Sequence, residues 1–188
     1  MKWPVFITAD LAGQSKVANR AFVLIQDFEY TKYLTESPWV LMTSQELPLE
    51  PPVATSIPLP DSSRNDFTGM SLADVNAFVR THKDVLERLK LSPYTWLVID
   101  QKGLETSTCI VCEDIEQQFR ACRIPYEKAW SMTANLDIAN MGFEEYVDEE
   151  AGVQEDGTWK WQPFEGESKE REREVELKRE KALQELIK

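Results

Sequence analysis

Two aspartates and a lysine are the residues of this sequence whose types and placement most clearly permit chemistry. Asp10 and Asp100 each come at the end of a short apolar run, and Lys102 lies two residues past the second aspartate. If the two runs are parallel neighbouring strands, both carboxylates project from the edge at which open α/β sheets place ligands. Two carboxylates and a lysine could then hold Mg²⁺ and a phosphoryl group, as in a magnesium-dependent phosphoryl-transfer enzyme or hydrolase. The competing interpretation is that the acidic residues only end strands and solvate loops.

The segment 130–146 is the second candidate, because it mixes an aromatic residue, carboxamides and an apolar stripe at helical spacing. Its notable side chains either bind a ligand or act as a structural fastener; they are Trp130, Asn135, Asn140 and Glu144. We favour the fastener, because buried carboxamides in proteins usually satisfy backbone groups. A second helical turn is expected to begin near Gly142, where glutamates in the first turn are favourable.

The three cysteines do not form a complete metal or redox site in this sequence. Cys109 and Cys112 form a C-x-x-C, but they lie on a predicted strand, where positions three apart point to opposite faces. Zinc and redox chemistry need converging sulfurs, so we expect these two cysteines and Cys122 to be buried and structural. The sequence also contains no glycine-rich phosphate loop, nucleophile elbow or dinucleotide fingerprint.

The elements that must position these residues follow from hydrophobic periodicity. Short apolar runs predict strands near residues 5–8, 39–43, 95–99, 108–112 and 119–124, and helices are predicted to begin near Ser15, Ser71 and Pro125. Helices between the early strands favour parallel crossovers, whereas the late strands follow one another too closely for that. The sequence therefore predicts an α/β single-domain fold: a mixed sheet of about five strands with helices packed on it, plus a charged C-terminal helix.

The chain divides by composition into a domain and a tail. Residues 1–163 are predicted to form the mixed α/β domain, and residues 164–188 a charged helical tail. Within the domain, residues 44–66 contain five prolines and predict a long loop with at most one edge strand. The tail has four-residue Glu–Arg and Glu–Lys pairs and a thin apolar stripe, which predict an exposed or loosely docked helix.

The overall charge limits the classes of partner. The 188 residues carry a formal net charge of -12, which disfavours general attraction to nucleic acid or to anionic membranes. No apolar stretch approaches the length of a membrane span, and no secretory leader is recognisable, so we expect a small acidic soluble protein in the cytoplasm. We expect a non-enzymatic protein-binding module without a cofactor, the alternative being the magnesium enzyme. The oligomeric state is left open.

Three motifs carry a resemblance to a known family. The strand at residues 96–100 is similar to F-x-F-V-x-D, and residues 130–146 are similar to W-S-x-x-x-N-L-x-I-A-N-M-x-F-E-E-[FY]; a D-G turn follows at residues 156–157. In these features the chain resembles an uncharacterised domain of unknown function found largely in bacteria. The resemblance covers residues 67–161, whereas the proline-rich loop departs from the pattern. It implies a shared fold and no particular reaction.

Overall fold

The structure, a computed structural model, describes residues 1–29, 37–59, 65–163 and 169–186. A single mixed sheet has the strand order β2-β1-β3-β4-β5-β6. β1 is parallel to β2 and β3, β4 is antiparallel to β3 and β5, and β6 is parallel to β5. The strands are β1 (Trp3–Ile7), β2 (Trp39–Met42), β3 (Thr95–Ile99), β4 (Thr108–Ile115), β5 (Gln118–Pro125) and β6 (Trp159–Lys160). The predicted α/β fold is confirmed, with β6 as the sixth strand.

Helices cover both faces of this sheet. They are α1 (Ser15–Leu24), α2 (Leu72–Thr81), α3 (Lys83–Arg88), α4 (Gln101–Thr106), α5 (Ala129–Asp137) and α6 (Lys169–Glu185), with 3₁₀ turns at Tyr126–Lys128 and Phe143–Tyr146. The sequence predicted only a connection where α4 lies, because six residues are too few for a helical period to show. One helix was predicted after Ser71, but the structure divides it into α2 and α3 at His82.

The alternation of side chains along β1 separates two hydrophobic layers. Val5 and Ile7 belong to the cluster that includes Phe22 of α1, whereas Phe6 packs with Phe67 and Phe78 on the α2 side. The chain therefore leaves β1 over one face to reach β2, and returns over the other face to reach β3. This arrangement creates a topological switch point between the carboxyl ends of β1 and β3, where open α/β sheets commonly bind ligands.

The cysteines lie as the strand alternation predicts. Cys109 faces the α1 side of the sheet together with Cys122, and Cys112 faces the α2 side. All three are free and buried. Burial raises the pKa of the Cys122 thiol to about 12 and raises the pKa values of the other two as well. These thiols are therefore protonated and apolar at neutral pH, as structural core residues are.

The charged tail packs against the domain through one narrow apolar stripe of α6. Val175 and Ala182 of α6 are buried in a cluster with Val23 and Phe28, and the Arg179 guanidinium donates to the Glu127 carbonyl at 3.0 Å. The buried apolar side chains of α6 thus contact α1 and the segment after it. Within the described ranges, no helix is both long enough and apolar enough to cross a membrane.

Candidate functional site

A cavity of about 380 Å³ lies at the topological switch point, between the ends of β1 and β3 and the N-terminus of α2. We call it the switch-point crevice. Its volume lies within the range of small-ligand pockets. The residues that line it are Thr8, Met70, Ser71, Leu72, Ala73, Val98, Asp100, Ile110 and Asp156.

Strand alternation and a few backbone contacts build this crevice. Thr8 follows β1 with the same facing as Phe6, and Asp100 follows β3 with the same facing as Val98. The Gly69 N–H donates to the Thr8 carbonyl at 2.8 Å, which brings the start of α2 over the edge of the sheet. Ser71 then caps α2 in a capping box with Asp74.

Asp100 serves as a structural anchor at the rim of the crevice. Its Oδ1 caps α4 by accepting from the Gly103 N–H at 2.7 Å, and the Arg123 guanidinium donates to both carboxylate oxygens at 3.0 and 2.7 Å. Burial raises the pKa of Asp100, but the hydrogen bonds from Arg123 and Gly103 outweigh burial and hold that pKa below its usual value. Asp100 is therefore ionised at neutral pH and bidentately paired.

Asp156 continues the same network on the other side of the arginine. Its Oδ2 accepts from the Arg123 Nε at 3.0 Å and from the Lys102 ammonium at 2.9 Å, and its Oδ1 accepts from Thr158. Burial raises the pKa of Asp156, yet these hydrogen bonds together hold it well below the ordinary value. We call Asp100, Arg123, Asp156 and Lys102 the four-charge cluster; its formal charges sum to zero.

The structure brings together only part of the predicted trio. Asp10 and Asp100 do follow neighbouring parallel strands, as the sequence analysis supposed. Asp10 is exposed, however, and its carboxylate accepts from the Ala12 N–H at 2.9 Å in a local turn. Lys102 pairs with Asp156 instead of Asp100. In the described part of the chain, no hydrogen bond or ion pair joins Asp10, Asp100 and Lys102 to one another.

The side chains at this edge do not offer the donor set that Mg²⁺ prefers. Magnesium binds carboxylates and water in octahedral geometry, whereas both oxygens of Asp100 already accept from the Arg123 guanidinium. Among the described residues, no group of three or more His, Cys, Asp or Glu side chains could hold a metal ion. The magnesium hypothesis remains a prediction, and calorimetric titration with Mg²⁺ of the protein and of its Asp100→Asn variant would test it.

The segment 130–146 forms a local network away from the crevice. Asn135 donates to the Ser131 carbonyl at 2.8 Å, and its side-chain oxygen accepts from the Asn140 carboxamide at 2.8 Å. The Asn140 N–H also bonds the Asn135 carbonyl, across a left-handed Ala139 at φ 52°. This pattern is a Schellman turn that ends α5. Because the chain leaves the helix at Ala139, Asn140 is exposed, whereas we expected a buried carboxamide.

The other two members of this segment contact the sheet. Trp130 is half-buried and packs against the core cluster that contains Leu136 and Phe143. Glu144, although exposed, forms an ion pair with Arg120 of β5. These contacts are those of a structural fastener, and we keep that role as our proposal for the segment.

We expect the two asparagines of this network to differ in their effects on stability. Asn135→Ala should lower the free energy of unfolding by about 1 kcal/mol, because it removes the side-chain hydrogen bonds of a half-buried residue. Asn140→Ala should cost about 0.5 kcal/mol or less, since the exposed site lets water replace the lost partner. Urea unfolding of both variants measures the difference. If neither variant is destabilised, the fastener proposal fails and a ligand role becomes the better explanation.

Sequence reasoning missed three residues of this edge, namely Thr8, Arg123 and Asp156. Arg123 lies between the apolar residues Cys122 and Ile124 in β5, and a charged residue at such a position indicates a specific partner. Asp156 lies in the recognised D-G turn. Neither signal identified which residues pair, because Asp100 and Asp156 lie 23 and 33 positions from Arg123 in sequence.

A second candidate is the exposed proline segment, which we define as residues 48–53 of the proline-rich loop. Its side chains at Leu49 and Val53 are 91% and 82% exposed. Contacts on both sides hold it in place: Leu47 packs against the core, and the Lys2 ammonium donates to the Pro52 carbonyl at 2.6 Å. The edge strand considered for residues 53–57 is absent there; instead Thr55 bonds Trp39 and Leu41 of β2.

Comparisons with known proteins assign most of the chain to a family. A family model described as "Domain of unknown function (DUF6924)" matches residues 53–161. The match begins within the proline-rich loop, 14 residues before the start of the resemblance noted in the sequence. No curated protein and no solved structure matches the chain significantly.

Proposed function

Because the chain belongs to the DUF6924 family of domains of unknown function, whose description assigns no activity, we propose its function from its own surface. It is a non-enzymatic protein-binding domain, and its partner recognises the exposed proline segment. The observation that carries this proposal is the exposure of Leu49 and Val53 in a segment that is anchored at both ends.

Proline makes this segment a favourable ligand. Pro48, Pro51 and Pro52 have fixed φ angles, so the segment loses less conformational entropy on binding than an ordinary loop does. Pro48 and Pro51 have the spacing of P-x-x-P ligands, which bind in extended form to grooves lined by aromatic side chains. The apolar Leu49 and Val53 would add buried area in such a groove.

The chemistry of the segment also restricts its partner. Glu46 and Glu50 are exposed at and beside it, and the whole chain is acidic. The complementary partner is therefore a folded domain with an aromatic-lined groove and a basic rim, because matching potentials favour association. Such a partner would bind faster at low salt.

Other surfaces support this function less well. The buried side of the α6 stripe is occupied by α1 and Phe28, so it is not free to bind a partner.

The crevice offers little support for a catalytic function. The lowered pKa values of Asp100 and Asp156 make both carboxylates weak general bases at neutral pH. Their hydrogen bonds to Arg123 also hold them in place for a structural role.

The test is capture of a partner from the native cell followed by calorimetry with the purified partner. We expect Leu49→Asp to weaken binding at least about tenfold, because a charge replaces an apolar anchor in the groove. Leu177→Asp is the matched control: Leu177 is also exposed, but it lies on α6. Circular dichroism confirms that both variants fold. A partner that binds the Leu49→Asp variant as tightly as the unaltered chain would refute the proposal.

A further inference from the structure

The switch-point crevice contains a polar group that has no partner in the described part of the chain. Thr8 is 8% exposed and lines the cavity, and its hydroxyl has no hydrogen-bond partner among the described residues. A threonine this buried normally bonds to protein or to an ordered group. Its hydroxyl can donate one hydrogen bond and accept others, so it can recognise a ligand directly.

The start of α2 offers two further donors at the same place. Leu72 and Ala73 line the crevice, and their N–H groups, in the first turn of α2, have no acceptor in the described part of the chain. The Ser71 cap bonds the Asp74 N–H and leaves these two donors free. Orphan N–H groups at a helix start bind hydrogen-bond acceptors.

Asp100 supplies a matching acceptor across the cavity. Among the described residues, its Oδ1 accepts two hydrogen bonds, whereas its Oδ2 accepts one, from the Arg123 guanidinium. An oxygen of this type has two acceptor sites, so one remains for a ligand N–H. Asp156, the other carboxylate of the crevice, already accepts four hydrogen bonds.

The charges favour an uncharged ligand. A cation gains little here, because Asp100 and Asp156 are already paired with Arg123 and Lys102. An anion meets these two carboxylates, and Asp74 already compensates the positive end of the α2 dipole. Apolar side chains complete the lining: Met70, Leu72, Val98 and Ile110.

We propose that the switch-point crevice binds a small uncharged molecule that has an amide group and an apolar body. The ligand carbonyl accepts from the Thr8 hydroxyl and the N–H groups at the start of α2, and its amide N–H donates to Asp100. The apolar body lies on Met70 and Leu72, the partly exposed apolar side chains of the lining. This binding activity goes beyond the protein-binding function and uses a different surface.

Three probes with the same ring and different charge test the proposal: benzamide, benzoate and benzylamine. We expect benzamide to bind with a Kd in about the millimolar range, as a fragment of its size does. Benzoate should bind at least about tenfold more weakly, since it meets the carboxylates of Asp100 and Asp156. Benzylamine should also bind at least about tenfold more weakly, since it lacks the carbonyl and its ammonium gains little from carboxylates that are already paired. Titration followed by ¹⁵N–¹H NMR should show the largest shifts at Thr8, Leu72 and Ala73.

Variants locate the binding site. Thr8→Val keeps the shape and removes the hydroxyl, so benzamide should bind about five- to tenfold more weakly, whereas Thr8→Ser should bind as the unaltered chain does. Thr81→Val, at the far end of α2, is the control. Ala73 is exposed, so Ala73→Phe should fold normally and block the crevice. This variant tests the binding site even if Thr8→Val proves too unstable to measure.

Two results would overturn the proposal. One is the absence of benzamide-induced shifts at the crevice up to about 50 mM, well above the expected Kd. The other is equal benzamide affinity in the Ala73→Phe variant and the unaltered chain. Because neither readout involves residues 48–53, failure here leaves the proposed protein-binding function standing, and the reverse also holds.

Discussion

Arg120→Met is expected to lower the free energy of unfolding by about 3–5 kcal/mol, the loss that follows when a buried ion pair loses one partner. Glu113 is only 3% exposed and lies directly opposite Arg120 in the β4–β5 ladder. The Arg120 Nε donates to the Glu113 carboxylate at 3.1 Å, and the guanidinium stacks 4.7 Å from the Phe143 ring. Without the arginine, a charged carboxylate is left inside the protein with no counter-charge. Urea unfolding at pH 7 measures this loss.

The double variant Glu113→Met with Arg120→Met is the control for this prediction. It removes both charges and fills the space with apolar side chains, so it should recover at least half of the stability that Arg120→Met loses. Glu144→Gln removes only the exposed partner of Arg120 and should cost less than about 1 kcal/mol. A double variant as unstable as Arg120→Met would show that the arginine acts through packing on Phe143 rather than through its charge.

Arg123→Met is expected to cost about 2–3 kcal/mol at pH 7, because it removes the cation that links Asp100 to Asp156. The value is below that for Arg120, since both aspartates of this cluster keep some contact with water. Lys102→Met is the matched control. Lys102 is exposed, and its ammonium forms an ion pair with one residue of the described chain, Asp156, so its loss should cost less than about 1 kcal/mol.

This second effect should depend on pH in a definite direction. The folded-state pKa values of Asp100 and Asp156 lie below those of the unfolded chain, which are about 3.9. Their pairing with Arg123 therefore contributes stability that is present above about pH 4 and is lost as pH falls through the folded pKa values. The stability difference between the unaltered chain and Arg123→Met should shrink when unfolding is measured at pH 3. A difference that stays constant from pH 7 to pH 3 would contradict the electrostatic explanation.

Strand alternation explains why parts of the sheet could be predicted so closely. β3 was predicted to its observed ends, because Thr95 and the four apolar residues after it, placed between turn signals, read as a buried strand. The opposite facing of Cys109 and Cys112 followed from the period of two alone. α4 was missed because its six residues make fewer than two turns, which are too few for a helical period to show. The Asp100 cap and the hydrogen bond from the Tyr126 hydroxyl to the Gly103 carbonyl support it, and the Tyr126 contact cannot be read from local sequence.

The candidate site shows the limit of the same reasoning. Asp10 and Asp100 were expected to share an edge of the sheet, and their strands are parallel neighbours. The residue types suggested a metal, yet the arginine that pairs with Asp100 comes from β5, on the far side of β4. Side-chain partners across a sheet depend on strand order and register, and neither can be read from local spacing.

The amino-acid sequence by itself determined the alternation of strands and helices, the mixed α/β class, the core positions and the family. These properties depend on local periodicity, backbone preferences and the types of neighbouring residues. Only the tertiary structure decided that Asp100 and Asp156 share Arg123 and that Asn140 faces water. It also decided that Thr8, whose hydroxyl has no partner among the described residues, lines the same crevice as the first residues of α2. Each of these results depends on contacts between residues distant in sequence or on the direction in which the chain leaves a helix. The free energy of the whole packed fold determines those contacts and that direction.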